Sequence, residues 1–241
     1  MKPPPRFAIE AAPGADGIVR LPGTEAHHMR DVMRIAPGET VMLIDATGLE
    51  YTASLERYTR GAAELRVIAT RAAEPRAALI LAQAIIKGPR MDFIVEKAAE
   101  LGATELWPIV CARGLVRAPG AERHARWNRL AIAAAKQSMA IPPMRVREAA
   151  DFTVLIRGAP RDTLAIVCSA GAEPIGAILE RAAPSAILIA IGPEGDFDPG
   201  ELAQASEAGF VAAGLGSARL RSETAALAAL AIAAQYLARG I

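Results

Sequence analysis

Residues Ala186–Ile191 form an unbroken apolar run, Ala-Ile-Leu-Ile-Ala-Ile, between Ser185 and Gly192. A strand that is apolar on both sides must be covered on both sides, which is the condition of a parallel sheet packed between helices. The chain from residue 78 onward obeys that constraint. Ala78–Ala84, Glu105–Val110, Thr163–Cys168 and Gly209–Leu215 read as further strands. Between them, Met91–Leu101, His124–Met139 and Pro174–Arg181 read as helices. In the first of these, Met91, Ile94, Val95, Ala98 and Leu101 share one face and Gly102 stops the helix. Asp198-Pro199-Gly200-Glu201 opens another, with Asp as N-cap, Pro at the first helical position and Glu at the third. Ser222-Glu223-Thr224 reads as the cap of a last helix running to about Arg239. That helix carries Ala, Leu or Ile on nearly every side, which predicts burial around most of its circumference and makes it a candidate dimer-interface element. Such alternation specifies a parallel α/β domain.

The N-terminal part follows a different period. Arg6–Glu10 is a short predicted strand, and Thr24–Val32 a short helix. Glu39–Asp45 and Leu49–Arg57 flank Ala46-Thr47-Gly48 as a hairpin, and Glu64–Thr70 continues the pattern. Short strands punctuated by Gly and Pro suggest a small barrel. Ala72-Ala73-Glu74-Pro75 marks the change of period and a linker, so the expected division is 1–73 and 74–241.

Several function classes drop out. Met1-Lys2-Pro3-Pro4-Pro5 has no signal-peptide core, and the apolar run Ala225–Ala234 is too short to span a bilayer. Cys111 and Cys168 make neither a disulfide framework nor a ligand cluster. His27 and His28 have no third ligand at metal spacing, so no metal is expected, and with His124 the only other histidine a Ser-His-Asp hydrolase is poorly supported. The expectation is a cytoplasmic protein with no membrane contact. The net charge of +1 implies no global attraction to nucleic acid, but it hides an uneven distribution. Formal charge is −1 over residues 1–74, +6 over 75–160 and −4 over 161–241. Most cations of the basic block are arginines, whose planar fork grips phosphate in a bidentate way. The alternative is an ordinary solvated surface in a chain that uses arginine in place of lysine.

Three loops carry the residues suited to chemistry. Ile191-Gly192-Pro193-Glu194-Gly195-Asp196-Phe197 lies between the buried strand and a capped helix, where ligands of open α/β sheets bind. It is neither a G-x-G-x-x-G fingerprint nor a P-loop, and a tight turn without a ligand is the alternative. Gly214-Leu215-Gly216-Ser217-Ala218-Arg219-Leu220-Arg221-Ser222-Glu223-Thr224-Ala225 again joins a strand to a helix. The two loops follow successive strands and can line one pocket with Glu194, Glu223, Arg219 and Arg221. The alternative for Arg221 and Glu223 is a loop-stabilising ion pair. Lys87-Gly88-Pro89-Arg90-Met91-Asp92 places cations at the carboxyl end of another strand, or is ordinary loop charge.

At these motifs the sequence resembles the 16S ribosomal RNA uridine-N3 methyltransferases (RsmE type), of the SPOUT class of trefoil-knotted enzymes dependent on S-adenosylmethionine. The resemblance runs over essentially the whole chain. Arg6-Phe7, His27-His28, Val32-Met33-Arg34 and Gly38-Glu39 resemble the family's N-terminal PUA-like barrel. Lys87-Gly88-x-Arg90-Met91-Asp92 with Lys97-x-x-Glu100-Leu101-Gly102 is similar to its first α/β motif. Arg126-Trp127, Ala134-Ala135-x-Gln137-Ser138 and Pro142 resemble its second. Gly192-Pro193-Glu194-Gly195 and Leu215-Gly216 with Leu220-Arg221-x-Glu223-Thr224-Ala225 resemble its two knot loops. The chain departs from the pattern at Asp196, where the family usually has glycine, at Ala218-Arg219, where it has Arg-Ile, and after Gln137-Ser138, where an arginine is usual.

The resemblance implies a PUA-like β-barrel followed by a SPOUT domain with a knot near residues 186–225, and a homodimer. It implies methylation of N3 of a specific uridine in the decoding region of 16S rRNA, with the small ribosomal subunit as partner. Ile191, Gly192, Gly195, Leu215, Gly216 and Leu220 are the expected cofactor-binding positions. Arg221 is the expected stabiliser of negative charge on the base, with Glu194 or Glu223 accepting its proton or holding the arginine. Arg6, His27, His28, Arg30, Arg34, Lys87, Arg90, Arg126 and Gln137 are the expected RNA contacts. A SPOUT enzyme for another RNA, or a ribosome-assembly factor without turnover, are the alternatives.

Overall fold

The computed structural model describes residues 4–9, 12–45, 47–72, 76–114, 119–138, 140 and 142–238. They fall into two units, Met1–Pro75 and Arg76–Ile241. In the first, β1 (Arg6–Ile9), β2 (Ile18–Pro22), β3 (Thr40–Asp45), β4 (Leu49–Tyr58) and β5 (Ala62–Ala72) form one sheet in the order β1-β3-β4-β5-β2. Only β1 and β3 run parallel. Side chains alternate across the strands, so Phe7 and Ile9, Val41 and Leu43, and Ala63 and Leu65 all face one core. Irregularities in the β4–β5 register, at Thr52/Ala53 and Leu55/Arg57, bend the sheet toward closure. α1 (Gly23–His27) widens into a π-helical turn over His28–Val32, and Ala26 and Met29 enter the same core. The buried Asp45 fixes the β3–β4 turn: it accepts hydrogen bonds from Thr47 N and Oγ1 (2.9 and 2.6 Å), Leu49 N (3.0 Å) and the Tyr51 hydroxyl (2.7 Å). Burial pushes its carboxyl up, but these bonds together outweigh burial and hold it below the usual carboxylate range.

The second unit contains β6 (Leu79–Ala84), α2 (Pro89–Glu100), β7 (Glu105–Val110), α3 (Ala121–Ser138), β8 (Arg145–Val146), β9 (Ala150–Asp151) and α4 (Phe152–Gly158). It continues with β10 (Leu164–Cys168), α5 (Ile175–Ala182), β11 (Ile187–Ile191), α6 (Pro199–Glu207), β12 (Val211–Ala213) and α7 (Ser222–Leu237). The strands are all parallel, in the order β12-β10-β11-β6-β7-β8, with β9 also on β7. Every residue of β6 and of β11 is buried. α2, α3, α5 and α7 contribute to the core on one face, while Phe152, Leu155, Phe197 and Ala205 belong to the core on the other. The apolar run read in the sequence is thus the centre of a two-sided sandwich.

The chain leaves β12 by an unusual route. Ser169 N donates to Ala213 O (2.9 Å), Gly214 N to Glu173 O (2.7 Å), and Ile175 N to Gly214 O (3.0 Å). The β10–α5 loop therefore lies along the segment that leads to α7 and extends the parallel β10–β12 pairing. The contact is so close that a Cβ on Gly214 would collide with the carbonyl of Ala172. α7 then packs on α2, α5, β6 and β11.

Three expectations need correction. Ser222-Glu223-Thr224 does not cap α7: the N-cap is Arg221, without a side-chain bond, because the Ser222 hydroxyl is used elsewhere. α7 is buried on one side only, through Ala226, Ala229, Leu230 and Ala233, while Ala231 and Ile232 stay exposed, because α2, α5, β6 and β11 pack on one face. The strand expected over Gly209–Leu215 is Val211–Ala213, because Gly209 (φ 87°) still belongs to the turn and Gly214 is taken by the β10–α5 loop. β2, α4, β8 and β9 were not anticipated. The Asp198 capping box is present as read. Glu10, Ala46, residues 73–75, Met139 and Arg239 lie outside the described residues.

Gly214→Ala is expected to destabilise the protein by about 3 kcal/mol, the upper end for overpacking, because backbone and not a yielding side chain opposes the new methyl. Thermal denaturation against wild type checks this.

Candidate active site

A cavity of about 780 Å³ opens at the carboxyl ends of β10, β11 and β12. Three loops wall it: residues 168–171 after β10, residues 191–194 with Asp196 after β11, and residues 215–222 after β12. In the second, Gly192 is favoured by crowding, since a Cβ would lie 3.2 Å from the ring and amide of Phe197 and would press on both. Asp196 N donates to Pro193 O (2.9 Å), and this turn puts Asp196 at φ 64°. That left-handed conformation explains why glycine suits the position, and aspartate is among the side chains that tolerate it. The Asp196 Oδ1 accepts from Phe197 N (2.8 Å).

A buried polar bridge joins the loops to the sheet. Ser222 Oγ donates to Gly192 O (2.7 Å) and accepts from Gln83 Nε2 (2.9 Å), which also donates to Ala84 O (2.9 Å). Gln83 is wholly inaccessible to solvent, and its Oε1 has no hydrogen-bond partner among the described residues.

The charged groups sort unequally. Arg90 reaches Glu194 (2.7 Å) and Glu223 (3.7 Å), so one expected RNA contact joins two expected catalytic carboxylates. Glu223 is the more enclosed, and its Oε2 accepts no hydrogen bond. The alternative Arg221–Glu223 pair is not formed. The guanidinium of Arg221, at the cavity wall, has no hydrogen-bond or ion-pair partner among the described residues. Arg126 is held by Asp92 (2.9 Å), which also accepts from Trp127 Nε1 (3.0 Å). Lys87 and Gln137 are exposed. Of the expected cofactor positions, Ile191, Gly192, Leu215, Gly216 and Leu220 line the cavity, while Gly195 lies outside it against Arg113. In the first unit Arg6 pairs with Glu50 (2.6 Å), His27 (2.5 Å) and Arg30 (3.1 Å) both pair with Asp31, His28 meets Phe7 edge-on, and the exposed Arg34 has φ 56°.

Sequence reasoning missed the first wall, Cys168-Ser169-Ala170-Gly171, although a small-residue loop at a strand's carboxyl end was the available signal. Burial pushes the Cys168 thiol up to about 12, which keeps it neutral rather than nucleophilic. Gln83 was also missed, and its signal was one amide in an otherwise apolar strand. Among the described residues no group of three or more His, Cys, Asp or Glu could hold a metal ion, and no helix is long and apolar enough to cross a membrane.

A family model described as an RNA methyltransferase domain matches residues 73–234, and one described as an RNA methyltransferase PUA domain matches residues 21–68. The ribosomal RNA small subunit methyltransferase E of Synechocystis is 31% identical over 224 residues, covering 90% of this chain and 72% of that protein. The chain belongs to the ribosomal RNA small subunit methyltransferase E family. The Mycobacterium bovis member is 31% identical over 93% of this chain and 88% of its own. The crystal structure of the Neisseria gonorrhoeae member, bound to S-adenosylmethionine, superposes with a TM-score of 0.76 at 34% identity over 95% of each chain. A probable rRNA methyltransferase from Porphyromonas gingivalis gives 0.77 at 29% identity, over 98% of this chain and 100% of that one. The fold is accordingly a PUA-like domain followed by a SPOUT methyltransferase domain of the methyltransferase E type.

The cavity suits a molecule such as S-adenosylmethionine. Its volume is in the range of small-ligand sites. Ile191, Leu215 and Leu220 offer apolar surface, and Gly171 (φ 78°) and Gly216 (φ 112°) present bare backbone. Asp196 supplies a carboxylate with no cationic partner among the described residues, a match for a positively charged ligand.

Asp196→Gly is expected to keep stability within about 1 kcal/mol of wild type, because relief of the left-handed φ offsets the lost hydrogen bond. Asp196→Val is expected to lower it by about 2 kcal/mol, since a β-branched residue is a poor fit to that conformation. Chemical denaturation of both variants compares them.

Proposed function

We propose that this chain methylates N3 of one uridine in 16S rRNA, with S-adenosylmethionine as methyl donor, acting on the small ribosomal subunit in the cytoplasm. The observation that carries the reading is Arg221, whose guanidinium is unpaired among the described residues, on the wall of a cavity that Glu194 also lines, with Glu194 and Glu223 both gathered by Arg90. Relatives named for small-subunit rRNA methylation support the RNA class.

When bound, the cofactor supplies an electrophilic methyl group, and the hard chemistry is its own. The residues walling the cavity, Ile191, Gly192, Leu215, Gly216 and Leu220, would hold it, with Asp196 near its positive charge. The protein's task is to make N3 a nucleophile and to align it. N3 carries a proton in neutral uracil. Arg221 stabilises the negative charge that spreads to O2 or O4 when that proton leaves. Glu194 or Glu223 accepts the proton, and Arg90 keeps both carboxylates in place. N3 sits on the Watson–Crick edge, so the uridine enters unpaired or flipped out. Arginines of the 75–160 block track the phosphates, and His27, His28, Arg30 and Arg34 of the N-terminal unit add contacts.

The exposed apolar side of α7 supports a homodimer. Ala231 and Ile232 face a groove of about 360 Å³ shared with Gly176 and Leu179 of α5. Ile232→Asp is expected to convert a dimer to a monomer in light-scattering chromatography.

The reaction is tested by reverse transcription across 16S rRNA from unmodified small subunits incubated with protein and cofactor. N3 methylation blocks pairing, so one cofactor-dependent stop at a uridine is expected. Arg221→Ala is expected to abolish the stop and leave cofactor affinity within about threefold. A stop of undiminished strength in that variant rules out the role given to Arg221, and stops only on other RNAs rule out the target.

A further inference from the structure

We infer that Gln83 and Ser222 form a positioning device for methyl transfer, a buried clasp that sets the distance between the two loops of the cofactor cavity. The inference deepens the proposed function and rests on the cavity being the cofactor site.

The carbonyl of Gly192 stands at the start of the second wall, and the next residue, Pro193, has no N–H to help shape the turn. Among the described residues no backbone donor reaches that carbonyl, and its partner is the Ser222 hydroxyl, 30 positions later, at 2.7 Å. Ser222 is the first helical residue of α7, directly between Arg221 and Glu223. One hydroxyl therefore ties the loop that carries Glu194 to the helix start that carries Arg221. A Ser at the first turn of a helix commonly caps its own amides, and here it does not. The hydroxyl proton is directed to Gly192 because Gln83 Nε2, 139 positions away, occupies the oxygen lone pair at 2.9 Å.

The orientation of Gln83 reinforces this. Its amide donates twice and accepts nothing, and Oε1 is left buried without a hydrogen-bond partner among the described residues. An orphaned acceptor lowers stability, so an apolar residue of similar volume would suit the surrounding strand better. A side chain that serves only packing would not be an amide at this position. The amide fits a requirement that the Ser222 hydroxyl point one way. Gln83 does not line the cavity, and the hydroxyl of Ser222, at its wall, is taken up by Gly192 and Gln83, so both act through Gly192 and the start of α7.

The test is calorimetric titration of S-adenosylmethionine into wild type, Ser222→Ala, Ser222→Thr and Gln83→Met, with melting temperatures and steady-state kinetics on small subunits. Ser222→Ala is expected to weaken cofactor affinity about tenfold, the worth of one hydrogen bond, and to raise the KM for cofactor while the KM for the subunit stays unchanged. Ser222→Thr, which keeps the hydroxyl, is expected to restore affinity to within about twofold. Gln83→Met is expected to melt at or above the wild-type temperature and still bind the cofactor several-fold more weakly, an opposition that a purely structural role does not produce. Wild-type affinity in Ser222→Ala or in Gln83→Met overturns the inference, as does equal weakness in the Thr and Ala variants. Wild-type protein that binds no cofactor overturns the reading beneath it instead.

Discussion

The close docking of residues 213–214 on the β10–α5 loop is the constraint on which the rest of the second unit depends. Three backbone hydrogen bonds join the two segments, and the contact is close enough to exclude any side chain at Gly214. A buried peptide must have its donors and acceptors met, and here the β10–α5 loop meets them. This contact sets the loop after β12 beside the loops after β10 and β11, so that Arg221 lines the same cavity as Glu194.

The electrostatics of the site follow from how few cations are shared among its acids. Arg90 serves two glutamates, while Arg221 serves none. An arginine already engaged on two sides is poorly suited to gripping a phosphate bidentately, whereas an unengaged one keeps its full hydrogen-bonding fork for a ligand. The same contrast separates Arg126, tied to Asp92, from Lys87, which extends into solvent.

The alternation of strand and helix, the centre of the sheet and the capping box at Asp198 were legible because each rests on local residue patterns: a run of six apolar residues, a 3.6 period, an Asp-Pro-x-Glu sequence. The knotted fold class was legible only through resemblance, since no local pattern encodes threading. β2 escaped notice because Arg20 and Pro22 interrupt a short edge strand. Ser222 was misread as a cap because capping propensity is local, while its true partners lie 30 and 139 positions away. The alanine-rich α7 looked uniformly buried because its composition is nearly the same on every side, so nothing in it marks which side faces its own chain. Within the site, the convergence of Glu194 and Glu223 on Arg90 had no sequence signal beyond their separate places at strand ends.

The order of the walls along the chain also sets when the cavity can be complete. One wall belongs to the segment after β12, and the other two precede it. During synthesis the sheet can assemble from β6 to β11 before α7 has emerged, yet at that stage the cavity lacks its third side. A nascent chain that ends before Leu215 therefore holds at most two of the three walls, and the full enclosure waits on almost the last segment to be made.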